Sequence, residues 1–305
     1  MQKRYPIKKN RKRMLKYGVV ALAVLVLSVV ILTLLFPSSS TPYYPNPNTF
    51  YFKAAIVDEE SLTDSNPAFV QNATTTLQKG GFTVDYIKAA DATVDFYKNL
   101  PTYDYGIIIL RVHSTVLPGS GWVSICTSEN YSSQKYVWEQ LDDELLRTKV
   151  TGTSEEIFSL GPNFKMNGHF QNTVIIMMGC DGLGINGTHV YLGFAKMLVN
   201  NGAKAYVGWS WGVTASASDN VTQQLLQNLI VKRTTLEEAI NSTPTDPGTG
   251  AYLRGYPNSE SSFVIPQQSP QSNPTSGTTA TTGIYVNDAF SQNHKSSSKI
   301  RIRFS

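Results

Sequence analysis

Two uninterrupted apolar runs constrain this chain more than any other feature. Tyr105-Gly106-Ile107-Ile108-Ile109-Leu110-Arg111-Val112 leads into His113, and Thr173-Val174-Ile175-Ile176-Met177-Met178-Gly179 leads into Cys180. Runs of this length, rich in β-branched residues and without polar alternation, read as strands covered on both faces, as in a parallel sheet under helices. In such sheets, ligands bind just beyond the carboxyl ends of the strands. If the two strands are neighbours, an imidazole and a thiol meet at the top of the sheet. That is the pairing a cysteine nucleophile needs.

The remaining segments fill in an alternating pattern. Tyr51–Val57, Phe82–Ile87, Trp122–Thr127 and Lys204–Trp209 read as further strands. Helical spacing is expected over Pro67–Lys79, which stops at Gly80-Gly81, and over Ala92–Asn99, Lys135–Arg147, Val190–Val199, Asn220–Val231 and Thr235–Ile240. Strands alternating with helices predict an α/β fold, a three-layer sandwich about a mainly parallel sheet, spanning residues 50–256.

Charge is distributed unevenly. The chain of 305 residues carries +4, yet Lys3, Arg4, Lys8, Lys9, Arg11, Lys12, Arg13 and Lys16 place +8 in residues 1–16, leaving −4 on the remainder. Residues 17–36 hold no charge, a length that spans about 30 Å of hydrocarbon as a helix. The basic flank predicts a cytoplasmic N-terminus and a single-pass anchor in the cell membrane, with the main domain outside. The apolar run exceeds a signal-peptide core and lacks a small-x-small cleavage site, so an uncleaved anchor is expected. Basicity confined to the anchor argues against a nucleic-acid partner.

Residues 37–49 read as a Pro/Ser/Asn spacer, and residues 257–305 as a low-complexity linker followed by a basic tail. Five Asn-x-Ser/Thr acceptors, at Asn72, Asn130, Asn186, Asn220 and Asn241, fit an exported glycoprotein.

A thiol attacks as thiolate, and a nearby imidazole takes its proton and returns it to the leaving group. Gly179 and Gly182 flank Cys180 and allow close backbone approach; the Cys180 amide and a donor near Ser114 are candidates for the oxyanion hole. Cys180 has two alternative readings, a buried inert thiol or a disulfide to Cys126, the second cysteine of the chain. Arg111 and Asp219 are candidates for setting pocket charge. His169, His189 and His294 have no metal-ligand spacing, and neither metal nor cofactor is expected. Gly179-Cys180-Asp181-Gly182-Leu183-Gly184 lacks the lysine of a phosphate loop.

Four motifs occur in a telling order: Val112-His113-Ser114, Gly179-Cys180-Asp181-Gly182, Asn201-Gly202-Ala203-Lys204-Ala205-Tyr206-Val207-Gly208-Trp209-Ser210-Trp211, and the Thr235–Ala239 helix. In this the sequence resembles the caspase-like cysteine peptidases, and CHAT domains most nearly, over roughly Ala54 to Ser242. The resemblance implies a caspase-type fold acting on a peptide or protein substrate. It also implies His113 as general base and acid, Cys180 as nucleophile, and Trp209, Ser210 and Trp211 with Asp181 as a wall of the specificity pocket. Two residues depart from the family pattern. Ser114 stands where glycine is usual, and Asp181 sets a carboxylate beside the thiol, which disfavours thiolate. These departures motivate an inactive, scaffold-type domain as the alternative. A nucleotide-binding, receiver-like domain has one hint, the acids Asp58, Glu59 and Glu60 after the first strand.

Overall fold

The central strands are apolar on both faces, and the chain covers both. The computed structural model describes Leu22, Val26 and residues 49–117, 119–149, 155–186 and 189–268. The chain separates into two compact units, Met1–Pro45 and Asn46–Ser305. The first is described at Leu22 and Val26, both helical; the expected membrane span, most of the spacer, the tail and the Asn186 side chain lie outside the described residues. No helix among the described residues is long and apolar enough to cross a membrane.

The second unit is α/β with a mainly parallel six-stranded sheet. Its strands are β1 (Lys53–Asp58), β2 (Thr83–Lys88), β3 (Ile107–Arg111), β8 (Val174–Met177), β11 (Ala205–Trp209) and β12 (Leu253–Tyr256), in the spatial order β12-β11-β8-β3-β1-β2. All pairs are parallel except β11 with β12. On one face lie α1 (Pro67–Lys79), α5 (Ala215–Leu226) and α6 (Leu236–Asn241), which bury Phe69, Leu77, Val221, Leu225 and Leu236 against Ile107, Ile109, Val174 and Ile176. On the other, α2 (Val94–Asn99) and α4 (Gly193–Asn200) bury Tyr97, Phe194 and Leu198 against Ile108, Leu110, Ile175 and Met177. Each such side chain contributes about 1.5–3 kcal/mol when fully buried.

A second, antiparallel sheet is inserted between β3 and β8. It contains β4 (Ser114–Val116), β5 (Val123–Asn130), β6 (Leu145–Lys149) and β7 (Glu156–Leu160), in the order β4-β5-β7-β6. Here the structure corrects the expected helix over Lys135–Arg147. Helix α3 covers Val137–Leu141 alone, and Leu145 pairs with Leu160 in β6. The apolar spacing was misleading because Val137 and Leu141 face solvent while Leu145 is core; Asp143, in left-handed backbone, ends the turn between them.

Two other helix boundaries move. Val190 pairs with Ile185 in a short antiparallel ribbon, so α4 starts at Gly193. Helix α5 starts at Ala215, five residues before the expected Asn220, with the Thr214 hydroxyl accepting from the Ala217 amide. Its first turns bury Ser218 and Asp219 through hydrogen bonds rather than apolar contact, so periodicity alone passes over them. Packing also continues beyond Tyr256: the Leu236 amide donates to the Phe263 carbonyl at 2.8 Å, and Ile265 is core.

Strands β3 and β8 approach closely at their carboxyl ends. A Cβ built on Gly179 would stand 2.5 Å from the Val112 carbonyl oxygen and would also overlap the Ser114 hydroxyl. Gly179→Ala should therefore lower stability by about 1–3 kcal/mol, as overpacked sites do. Urea unfolding reads this directly; an unchanged midpoint would show that the strand ends can part without loss.

Candidate functional site

The strand order places the crevice. From β1 the chain moves outward to β2, then returns to the opposite side of β1 to form β3, from which it proceeds to β8. The order therefore reverses between β1 and β3, and open α/β sheets bind ligands outside the carboxyl ends of strands at such a point. Beyond β1 come Asp58, Glu59 and Glu60, beyond β3 His113, and beyond β8 Cys180.

Register brings the strands that precede the two sequence-predicted residues side by side. Leu110 lies opposite Met177, and the Met178 amide donates to the Leu110 carbonyl at 2.9 Å. The paired register ends there, and His113 and Cys180 each follow three residues beyond that last pair. The Ser114 hydroxyl closes the junction, donating to the Cys180 carbonyl at 2.6 Å. Its proton is thus engaged in holding the two strand ends together.

Arg111 lies beneath the imidazole and is 1% exposed. Its Nε and Nη2 donate to the two Asp219 oxygens at 2.8 and 3.1 Å, its Nη1 to Asp58 Oδ1 at 2.9 Å, and its Nη2 also to the Asp64 carbonyl at 2.7 Å. Glu60 Oε2 approaches Nη1 at 3.5 Å. The Asn66 side chain, which accepts the Phe69 amide to cap α1, donates to Asp219 Oδ2 at 2.8 Å. One guanidinium therefore ties β3 to β1, to the start of α1 and to α5. Arg111 and Asp219, candidates for pocket charge, are instead a buried structural pair.

That single cation faces more carboxylates than it can neutralise. Burial pushes Glu59 well above the usual carboxylate range, although it accepts the His113 amide at 2.9 Å. Burial likewise raises Glu60 to about 7, against the lowering effect of Arg111.

The imidazole is itself mostly buried, and this desolvation lowers His113 to about 4. Its Nδ1 lies 3.5 Å from Glu60 Oε1, and its Nε2 lies 3.4 Å from the Thr63 hydroxyl. Cys180 is a free thiol, as is the buried Cys126, so the bridge between them is excluded. Burial raises the Cys180 thiol above its ordinary value; the Val213 backbone opposes the shift, and Asp181 and Glu60 add to it. Sγ lies 3.6 Å from the Val213 carbonyl oxygen. At rest the thiol is neutral and faces the Val213 carbonyl, while the imidazole is neutral and faces Glu60 and Thr63.

The other expected residues separate. Trp209 is completely buried, with Nε1 donating to Ser218, so it is core rather than pocket wall. Ser210 is also buried and accepts the Tyr252 amide on its hydroxyl. Trp211 is 55% exposed, and its carbonyl accepts the Asp181 amide at 3.1 Å. Asp181 adopts left-handed backbone, and burial raises its carboxyl above its ordinary value. Gly182 packs against β11, where a Cβ would stand 3.2 Å from Gly208 Cα. Glycine here serves the packing of the Cys180 loop.

Sequence reasoning missed Glu60 and Thr63 as neighbours of the imidazole, although acids directly after β1 were a usable signal. It also missed Asp246, which accepts from the Thr214 and Gly248 amides at 2.9 and 2.7 Å and so braces the loop carrying Val213. The signal was Asp246-Pro247-Gly248, an Asx-type turn. No cluster placed to hold a metal ion occurs among the described residues. No protein-family model and no curated protein matches this chain.

Glu60 and His113 make stability depend on pH. Glu60 has a folded value above its unfolded 4.5, so its contribution is full below pH 4.5 and lost as pH rises through 7. His113 is lowered, so its contribution is full above 6.5 and lost as pH falls through 4. The two slopes offset each other in the wild type between about pH 5 and 6.5. Stability of the wild type relative to Glu60→Gln should fall by roughly 3 kcal/mol from pH 4.5 to 7.5, read from paired urea titrations. A pH-independent difference would contradict the placement of Glu60. Arg111→Met should cost about 3–5 kcal/mol at pH 7.5 because it strands buried carboxylates. Recovery of most of that stability at pH 5 would identify their charge as the cause; equal loss at both pH values would not.

Proposed function

We propose that this chain is a membrane-anchored, extracytoplasmic cysteine endopeptidase of the caspase/CHAT-like type, with Cys180 as nucleophile and His113 as general base and acid. The observation that carries the reading is that residues 113 and 180 each follow, by three positions, the last registered pair of two adjacent parallel strands, next to the point where strand order reverses. Both cysteines being free removes the bridged alternative for Cys180.

In this reading the peptide lies across the carboxyl edge of the sheet. His113 takes the thiol proton as sulfur attacks the scissile carbonyl carbon. In this reading the Cys180 amide donates to the developing oxyanion. The C–N bond then breaks, the imidazolium protonates the departing amine, and water releases the acyl group. Trp211, exposed beside Asp181, and Leu62, 82% exposed in the turn before Thr63, flank the site with apolar surface for substrate side chains. The anchor and exported domain follow from the charge-free run at 17–36 and its basic flank.

The second reading is an inactive surface-binding or scaffold domain of the same fold. It is favoured by the raised thiol and by Asp181 beside it. A peptidyl acyloxymethyl ketone separates the two. In the peptidase reading it labels the wild-type protein at Cys180, and labelling disappears in Cys180→Ala and drops at least a hundredfold in His113→Ala. Labelling elsewhere, or none above the rate of an ordinary thiol, would leave the scaffold reading.

A further inference from the structure

The residue that remains unexplained is Glu60. A chain avoids burying a carboxylate unless it is paired, yet the guanidinium beside it is spent elsewhere. Arg111 makes its short contacts with Asp219 and Asp58, and Glu60 Oε2 stands off at 3.5 Å. The other Glu60 oxygen faces the His113 Nδ1 at 3.5 Å.

We propose that Glu60 is a positioning residue for His113, a carboxylate whose ionisation turns the Cys180–His113 pair on. This rests on reading those two residues as nucleophile and base. Ionised, Glu60 accepts Nδ1–H, which fixes the tautomer with Nε2 unprotonated, a base once it turns from the Thr63 hydroxyl 3.4 Å away, and stabilises the imidazolium formed when Nε2 takes the thiol proton. The S–H bond breaks, its electron pair stays on sulfur as the nucleophile, and the proton resides on Nε2 until the leaving amine takes it. Protonated, Glu60 no longer stabilises the imidazolium, and the thiol keeps its proton.

The groups that bear on Glu60 come from every element around it. Asp58 ends β1 and Glu59 follows it, Asp64 lies in the turn before α1, Arg111 and His113 on β3 and its end, Cys126 on β5, Asp219 on α5, and Cys180 after β8. Among these Arg111 is the one permanent cation. Burial delays ionisation of Glu60, Arg111 opposes that delay, and the surrounding negative charge adds to it. The site is therefore expected to work in neutral to alkaline surroundings and to rest in acid ones.

The test measures carbamidomethylation of Cys180 by iodoacetamide in the full-length protein from pH 5.5 to 9, with peptide mapping to exclude Cys126. The rate in the wild type should rise through a step around pH 7. Glu60→Gln should lose that step and react about tenfold more slowly at pH 8, and Glu60→Asp should keep a step at reduced rate. If Glu60→Gln follows the wild-type profile while His113→Ala is slow, Glu60 is a spectator and the peptidase reading stands. If His113→Ala also matches the wild type, the nucleophile–base reading fails and takes this proposal with it. Should Glu60→Gln not fold, the His113 Cε1 resonance of the wild-type protein reads the same coupling. Two inflections would support it; a single one would overturn it.

Discussion

The parallel register of β3 with β8 is the constraint on which the rest depends. Because Leu110 lies opposite Met177, His113 and Cys180, 67 positions apart in the chain, both leave the carboxyl ends of adjacent strands. A slip of one residue would send the side chains of one strand to the opposite face. The register is held by apolar residues on both faces of both strands, by glycine at 179, where no Cβ fits, and by the Ser114 hydroxyl on the Cys180 carbonyl. The backbone of His113 is fixed on both sides, donating to Glu59 and accepting from Cys126.

Arg111 extends that constraint from geometry to charge. A fully buried guanidinium is tolerated because its donors are matched by Asp219, Asp58 and the Asp64 carbonyl. The same contacts gather acids from β1, the turn before α1 and α5 into one place and leave Glu60 under-compensated beside the imidazole. Structural need and site electrostatics thus share one residue: the arginine that joins the layers also sets how readily the neighbouring carboxylates ionise. The small antiparallel sheet contributes from the other side, since β4 begins at Ser114 and its partner β5 supplies the amide that meets the His113 carbonyl.

The α/β class and the central strands were legible in the sequence because apolar runs on both faces leave few other solutions. His113 and Cys180 were legible as strand-end residues for the same reason. Side-chain direction was not. Trp209 and Trp211 lie two residues apart, yet one is sealed in the core and the other open, because the strand ends at Trp209 and the chain turns toward α5. Arg111 and Asp219 were noticed as charges, but that they bond each other across 108 residues is a tertiary fact with no local signal. The false helix at 135–147 shows the converse: apolar spacing without a neighbouring layer to bury it specifies nothing.

The central claim is that the thiol at 180 and the ring at 113 share one site, and NMR of the full-length protein reads this most directly. Histidine resonances would be recorded before and after capping Cys180 with methyl methanethiosulfonate. The account predicts that the His113 imidazole signals shift and its titration moves, while those of the exposed His169 stay in place. An unaltered His113 spectrum and titration after complete capping would contradict it.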